Sequence, residues 1–196
     1  MKVLSVNAGS IGDLFVPQSD RMRRVATGIH KHPVEGPVKV GKLGIEGDEQ
    51  ADLTVHGGLN KAVYAYPSEH YAFWIAQRLA VHKREEPLPP GSLGENLTLQ
   101  GVLESDLWMG DRLHIGSVVL AVTEPRQPCY KFNAKMGFSH AAKMMVQAGN
   151  SGFYLRVIEI GTLQAGDAVS IVPGKRETSL AQLNERRLKG RQRDLF

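Results

Sequence analysis

Cysteine is nearly absent from this 196-residue chain: Cys129 is its single example. One thiol excludes an internal disulfide and any zinc or iron–sulfur site built from several cysteines of one chain. Long apolar runs are missing too. Tyrosine aside, the longest are five residues, at 72–76 and 118–122, whereas a membrane-spanning helix needs roughly 20. Ser5 and Asn7 interrupt the apolar positions of the N-terminus, so no signal-peptide stretch is visible and a cytoplasmic location is expected. Neither a Gly-x-Gly-x-x-Gly fingerprint nor a Gly-x-x-x-x-Gly-Lys-Ser/Thr phosphate loop occurs.

Charge of one sign is scarce over most of the chain. The net charge is +4, but seven basic and three acidic residues fall in 175–196, so the tail alone carries the excess. Residues 1–174 are balanced, with 17 of each sign. The basicity therefore makes no general case for nucleic-acid binding. The tail has no aromatic except Phe196, and a solvated or partner-docking helix end outweighs a nucleic-acid arm.

What is abundant is glycine, 21 residues, punctuating short runs of β character. The pattern predicts strands at 2–6, 38–40, 53–56, 61–66, 153–160 and 168–172. It predicts a hairpin of 113–115 and 118–123 around Gly116-Ser117. A helix is expected after Ser68, with Tyr71, Trp74, Ile75 and Leu79 at helical spacing. Another is expected from Ser139 to about Gln147, and a C-terminal helical pattern begins near Thr178. Gly110-Asp111-x-Leu-x-Ile is echoed by Gly166-Asp167-x-Val-x-Ile, which reads as two similar turns opening two strands. Short strands, glycine turns and few helices predict a mainly β protein, a compact barrel with flanking helices.

Three segments carry chemistry. In Pro125-Arg126-Gln127-Pro128-Cys129-Tyr130-Lys131 the thiol follows an apolar strand and is flanked by cations, which favour the thiolate. In Gly47-Asp48 through His56-Gly57-Gly58 to Lys61, acids and an imidazole lie beside backbone that a ligand can approach. Gly94-Glu95-Asn96 is a turn with two polar side chains.

Taken in order with Lys61-Ala62-Val63-Tyr64 and Gly110-Asp111-Arg112-Leu113-His114-Ile115-Gly116, these motifs resemble the MOSC domain family, in its YiiM-type branch. The resemblance covers residues 1–174, as one MOSC β-barrel domain. Residues 175–196 form a basic helical tail whose start resembles that branch's C-terminal three-helix unit, here truncated. It implies a cytoplasmic molybdenum cofactor (molybdopterin) enzyme, related to the mitochondrial amidoxime-reducing component, in which Cys129 is the protein's metal ligand. Because the pterin dithiolene and oxo groups complete the metal's sphere, one soft thiolate suffices. Arg126 and Lys131 are the expected partners of the pterin phosphate, Glu95 and Asn96 of its ring, with Lys61 and Asp48 also at the cofactor and His56 as proton relay. The implied reaction is reduction of N-hydroxylated compounds, such as hydroxylaminopurines and hydroxylamines, fed by an external electron-donor protein. The alternative is non-enzymatic: a carrier of sulfur as a Cys129 persulfide, or of the cofactor itself. The family's suggested pyridoxal phosphate link would need a lysine such as Lys61 or Lys131. No membrane partner is expected, and the oligomeric state stays open.

Overall fold

The computed structural model describes residues 1–52 and 57–193, with side chains described to Lys189. In chain order the elements are β1 (Lys2–Ala8), β2 (Gly12–Gln18), β3 (Arg21–Thr27), β4 (His32–Pro33), β5 (Val38–Gly41), β6 (Gly44–Ile45) and β7 (Val63–Pro67). Then come α1 (Tyr71–His82), β8 (Leu97–Gln100), β9 (Arg112–Ile115) and β10 (Val118–Pro125). The last are α2 (Tyr130–Met136), α3 (Ala141–Ala148), β11 (Phe153–Glu159), β12 (Gly161–Leu163), β13 (Val169–Val172) and α4 (Leu180–Arg193). No described helix is long and apolar enough to cross a membrane.

Eight strands form one mixed sheet in the order β13-β9-β10-β11-β7-β8-β1-β4. Within it only β7 and β8 pair in parallel. A three-stranded sheet, β12-β5-β6, and a two-stranded ribbon, β2-β3, stand beside it. The fold is mainly β with helices, as expected, but among the described residues no ladder closes the sheet into a barrel. Its β13 side meets β1 through one isolated bridge, Lys2 with Ala168. Backbone hydrogen bonds from Val3 N–H to Asp167 and from Gly166 N–H to Val3 (2.9 and 2.8 Å) support that bridge. The Gly166-Asp167 turn occupies the positions opposite β1, so β13 begins too late to pair along it.

Side-chain alternation on the central strands sorts the core into two layers. Val63 and Ala65 of β7, with Phe153 and Leu155 of β11, face one apolar cluster that includes Leu97, Leu113, Leu120 and Leu180. Tyr64, Tyr66 and Tyr154 on the same strands face the other, with Trp74, Phe132, Met136 and Met145. Strands buried on both faces need no polar alternation, and the functional cleft opens on the tyrosine side.

Local chemistry explains the element ends. The two echoed turns are alike in fact: Asp111 accepts the Trp108 N–H (3.1 Å) and Asp167 the Gln164 N–H (2.9 Å), each three residues back. Their strands, β9 and β13, pair side by side. Gly137, at φ +83°, ends α2, and the Gly137 and Phe138 N–H groups both bond back into the last turn. At α4, the Ser179 hydroxyl accepts the Gln182 N–H while the Gln182 side chain accepts the Ser179 N–H (3.1 and 3.0 Å), a reciprocal cap. In α1, Trp74 is fully buried, but Ile75 and Leu79 face solvent, against the expectation of one apolar core face. Ser68 makes no cap there and instead opens a 3-10 turn. The predicted strand at 53–56 lies outside the described residues.

Candidate functional site

An open cleft with about 640 Å³ of empty space, solvent included, gathers Cys129, Arg126, Lys131, Asn96, Lys61 and Asp48 on one lining. Tyr64, Tyr154 and Lys31 join them. His56 lies outside the described residues. Two glycines let the walls approach. A Cβ on Gly28 would lie 2.2 Å from the Glu49 carbonyl oxygen; one on Gly94, at φ +84°, would lie 2.8 Å from Ile29.

Cys129 is half-buried, on extended backbone immediately before α2. Among the described residues no three His, Cys, Asp or Glu side chains converge to hold a metal ion.

Arg126 is the unusual group. It is 6% exposed. Its guanidinium carbon sits 4.7 Å from the Tyr64 ring centroid and 5.1 Å from that of Phe132, and Nη1 lies 3.4 Å from the Met145 sulfur. Among the described residues no carboxylate pairs with it. Burial works against its charge, but Tyr64, Tyr154 and Cys129 outweigh burial and hold its pKa above the ordinary value. Burial also pushes the Tyr64 and Tyr154 phenols up, against the opposing pull of Arg126. The site therefore presents a cation and two protonated phenols beside a thiol.

The opposite wall is a scaffold. Asp48 accepts from the Lys31 ammonium, from the Gly9 N–H (3.0 Å) and from Asn96 Nδ2 (2.8 Å). Asn96 Nδ2 also donates to the Asn7 carbonyl (3.2 Å), and its Oδ1 accepts the Tyr64 N–H (3.1 Å). Both amide hydrogens of Asn96 are thus committed to protein. Asp48 and Asn96 line the cleft, but their polar atoms knit strand ends together.

Glu95 corrects the expectation of a pterin contact: it is fully buried and does not line the cleft. Its carboxylate accepts from the Tyr71 hydroxyl, from Gly91 N–H and Thr98 Oγ1 (both 2.8 Å), and from Leu93 N–H (3.1 Å). It shapes the turn that presents Asn96. In Glu95→Gln, whichever oxygen becomes an amide, the Gly91 or the Leu93 N–H loses its acceptor. An orphaned buried donor costs roughly 1–3 kcal/mol. Burial raises the Glu95 pKa, so the folded state holds this proton more tightly than the unfolded one. Its contribution is full below the ordinary carboxylate pKa and falls as pH rises through the raised value. Urea unfolding across acid to neutral pH should find the Gln variant less stable, with a deficit that shrinks as pH rises. A deficit that grows with pH would contradict this.

Lys131 Nζ donates to the Ala26 carbonyl of β3 (2.9 Å), with further ammonium hydrogens to spare. Lys61 Nζ sits 3.8 Å from Glu124 and 5.7 Å from the Tyr154 ring centroid. Glu124 in turn is held by Arg187 of α4 (2.8 Å), which also bonds the Pro125 carbonyl (2.5 Å). The basic helix thus braces the strand end that delivers Arg126 and Cys129. Nothing around Lys61 or Lys131 supports a pyridoxal phosphate link. Lys135, close to the thiol in sequence, turns away to His30 Nδ1 (3.3 Å).

Sequence reasoning missed Tyr64, Tyr154 and Lys31 as lining residues. Tyr64 sat inside the Lys-Ala-Val-Tyr motif. Tyr154 and Lys31 carried no local signal, since only pairing across the sheet brings them here.

The family model described as the MOSC domain matches residues 52–170. The uncharacterized protein YflK of Bacillus subtilis is 39% identical over 166 residues, which span 84% of this chain and 70% of that protein. A protein named Reductase from Gibberella moniliformis is 33% identical over 173 residues, 82% of this chain but 29% of that protein. The crystal structure of YiiM from Geobacillus stearothermophilus superimposes with a TM-score of 0.74 at 34% identity, covering 97% of this chain and 85% of that one.

Proposed function

The chain belongs to the MOSC domain family, and from that premise we propose that it is a molybdenum cofactor-dependent reductase of N-hydroxylated compounds, such as hydroxylaminopurines and hydroxylamines. The observation that carries this reading is the buried Arg126 cation, with no carboxylate partner among the described residues, in a cleft beside a half-buried thiol. A buried charge is costly unless something compensates it, and an anionic, thiolate-binding cofactor supplies both halves of that compensation.

The residues present fit the group. Cys129 would give the metal its protein sulfur, a soft ligand suited to molybdenum. Arg126 and the spare hydrogens of Lys131 would hold the phosphate by charge-assisted hydrogen bonds. When bound, the cofactor supplies a two-electron redox centre. The chain's own residues do the rest. Tyr154, kept protonated by burial and facing Arg126, offers a hydroxyl donor. The Asp48–Lys31–Asn96 wall keeps the cleft's shape. In the net reaction one N–O bond breaks, two electrons and two protons are taken up, and an amine and water leave. Electrons come from a separate donor protein. The Gibberella moniliformis relative, named Reductase, supports reduction as the reaction class.

The test is metal and pterin analysis of the freshly purified chain, with turnover of a hydroxylaminopurine using chemically reduced viologen as donor. Molybdenum and pterin in matching amounts, with amine formed, support the reading. Neither molybdenum nor pterin, with one extra sulfur atom on Cys129 by mass spectrometry, would replace it with sulfur carriage. Bound cofactor without N–O cleavage would replace it with cofactor carriage.

A further inference from the structure

The solvent face of α1 has no role in the cleft and is oddly composed. Ile75 and Leu79 are each 40% exposed, and Ala72, Ala76 and Ala80 are exposed beside them. At 100° per residue these five share one stripe, and no charged or polar side chain interrupts it between Glu69 and Lys83, which are themselves exposed at the two ends. A surface helix ordinarily presents polar residues there.

We propose that this stripe is the contact surface for a second copy of the chain, in an antiparallel α1–α1 pair about a two-fold axis between Ile75 and Ala76. The stripe is complementary to itself in that direction only. Antiparallel packing sets Leu79 against Ala72 of the second copy and Ile75 against its Ala76, large against small along the seam. It also brings acidic Glu69 to the level of the second copy's His82 and Lys83. A parallel pair would set Ile75 on Ile75, Ala76 on Ala76 and Glu69 on Glu69, opposing like sizes and like charges. A two-fold contact of this kind closes on itself and needs no second surface. The helix has 12 residues, about 18 Å of length, so the seam alone is smaller than the roughly 800 Å² per partner of a standard stable interface. The dimer is therefore concentration-dependent rather than obligate.

Sedimentation velocity of the full chain over a series from low micromolar to near-millimolar concentration tests this. The expected result is a reversible monomer–dimer equilibrium. Ile75→Glu and Ala76→Glu, both at solvent-facing positions, should keep the melting temperature while weakening association at least about tenfold, or 1.4 kcal/mol. Lys83→Glu should weaken it by facing Glu69, and adding Glu69→Gln, which keeps an acceptor for the Gly101 N–H that Glu69 binds at 2.7 Å, should recover part of the loss. A chain that stays monomeric at the highest concentration overturns the proposal. So does a dimer that Ile75→Glu leaves intact, which assigns association to another face. Dimers strengthened by Lys83→Glu overturn the antiparallel register.

Discussion

Cys129→Ala should yield a protein that folds normally and, on the proposed ligation, holds no molybdenum. The thiol is half-buried, makes no disulfide and precedes α2 without capping it. Losing one sulfur atom at such a position should change stability by no more than about 1 kcal/mol. Losing the single thiolate the chain can offer should lower metal retention by more than the roughly 10–100-fold typical of outer-sphere partners. Mass spectrometry for molybdenum, with a thermal melt of the same sample, reads both. A variant that keeps its metal and its turnover would sink the proposed ligation. A variant that unfolds would make Cys129 a packing residue, and Cys129→Ser then separates the two cases, because the hydroxyl matches the thiol's shape but not its softness.

Arg126→Met should be inactive yet no less stable than the parent. Methionine retains the apolar stem between Tyr64 and Phe132 and removes a buried cation that no described carboxylate balances. The loss is the cation–π attraction, up to about 2 kcal/mol when desolvated. The gain is relief from desolvating a guanidinium that no described carboxylate pairs with. Binding of the anionic cofactor, by contrast, loses its only buried cationic partner lining the described part of the cleft besides Lys31, which Asp48 already occupies. The expected outcome is at least tenfold lower cofactor content with an unchanged or raised melting temperature. A large fall in melting temperature with cofactor content intact would mean that Arg126 serves the core rather than the ligand. Arg126→Lys adds a control: it keeps the charge but not the planar fork, so partial cofactor binding is expected.

Much of the fold was legible because its signals are local. The Gly-Asp turns before β9 and β13, the hairpin at Gly116 and the strand at 153–159 each depend on a few consecutive residues. The β2–β3 ribbon was not legible. Arg21-Met22-Arg23-Arg24 shows no apolar alternation, because the first four residues of β3 are exposed, and Pro17 sits within β2, as a ribbon edge allows. The outward Ile75 and Leu79 were unreadable for a related reason. Helical spacing shows that residues share a face, but not whether that face meets the core.

For the site, the sequence alone determined which residue types were at hand: one thiol, cations flanking it, and glycines where backbone must come close. Those are properties of neighbours along the chain. Only the tertiary structure decided which polar groups were already spent. Glu95 is consumed by its own turn, Asn96 and Asp48 by Asn7, Gly9 and Lys31, while Arg126 is buried among rings with no acid among the described residues to meet it. Hydrogen-bond saturation depends on strands brought together from opposite ends of the chain, and no local pattern records it.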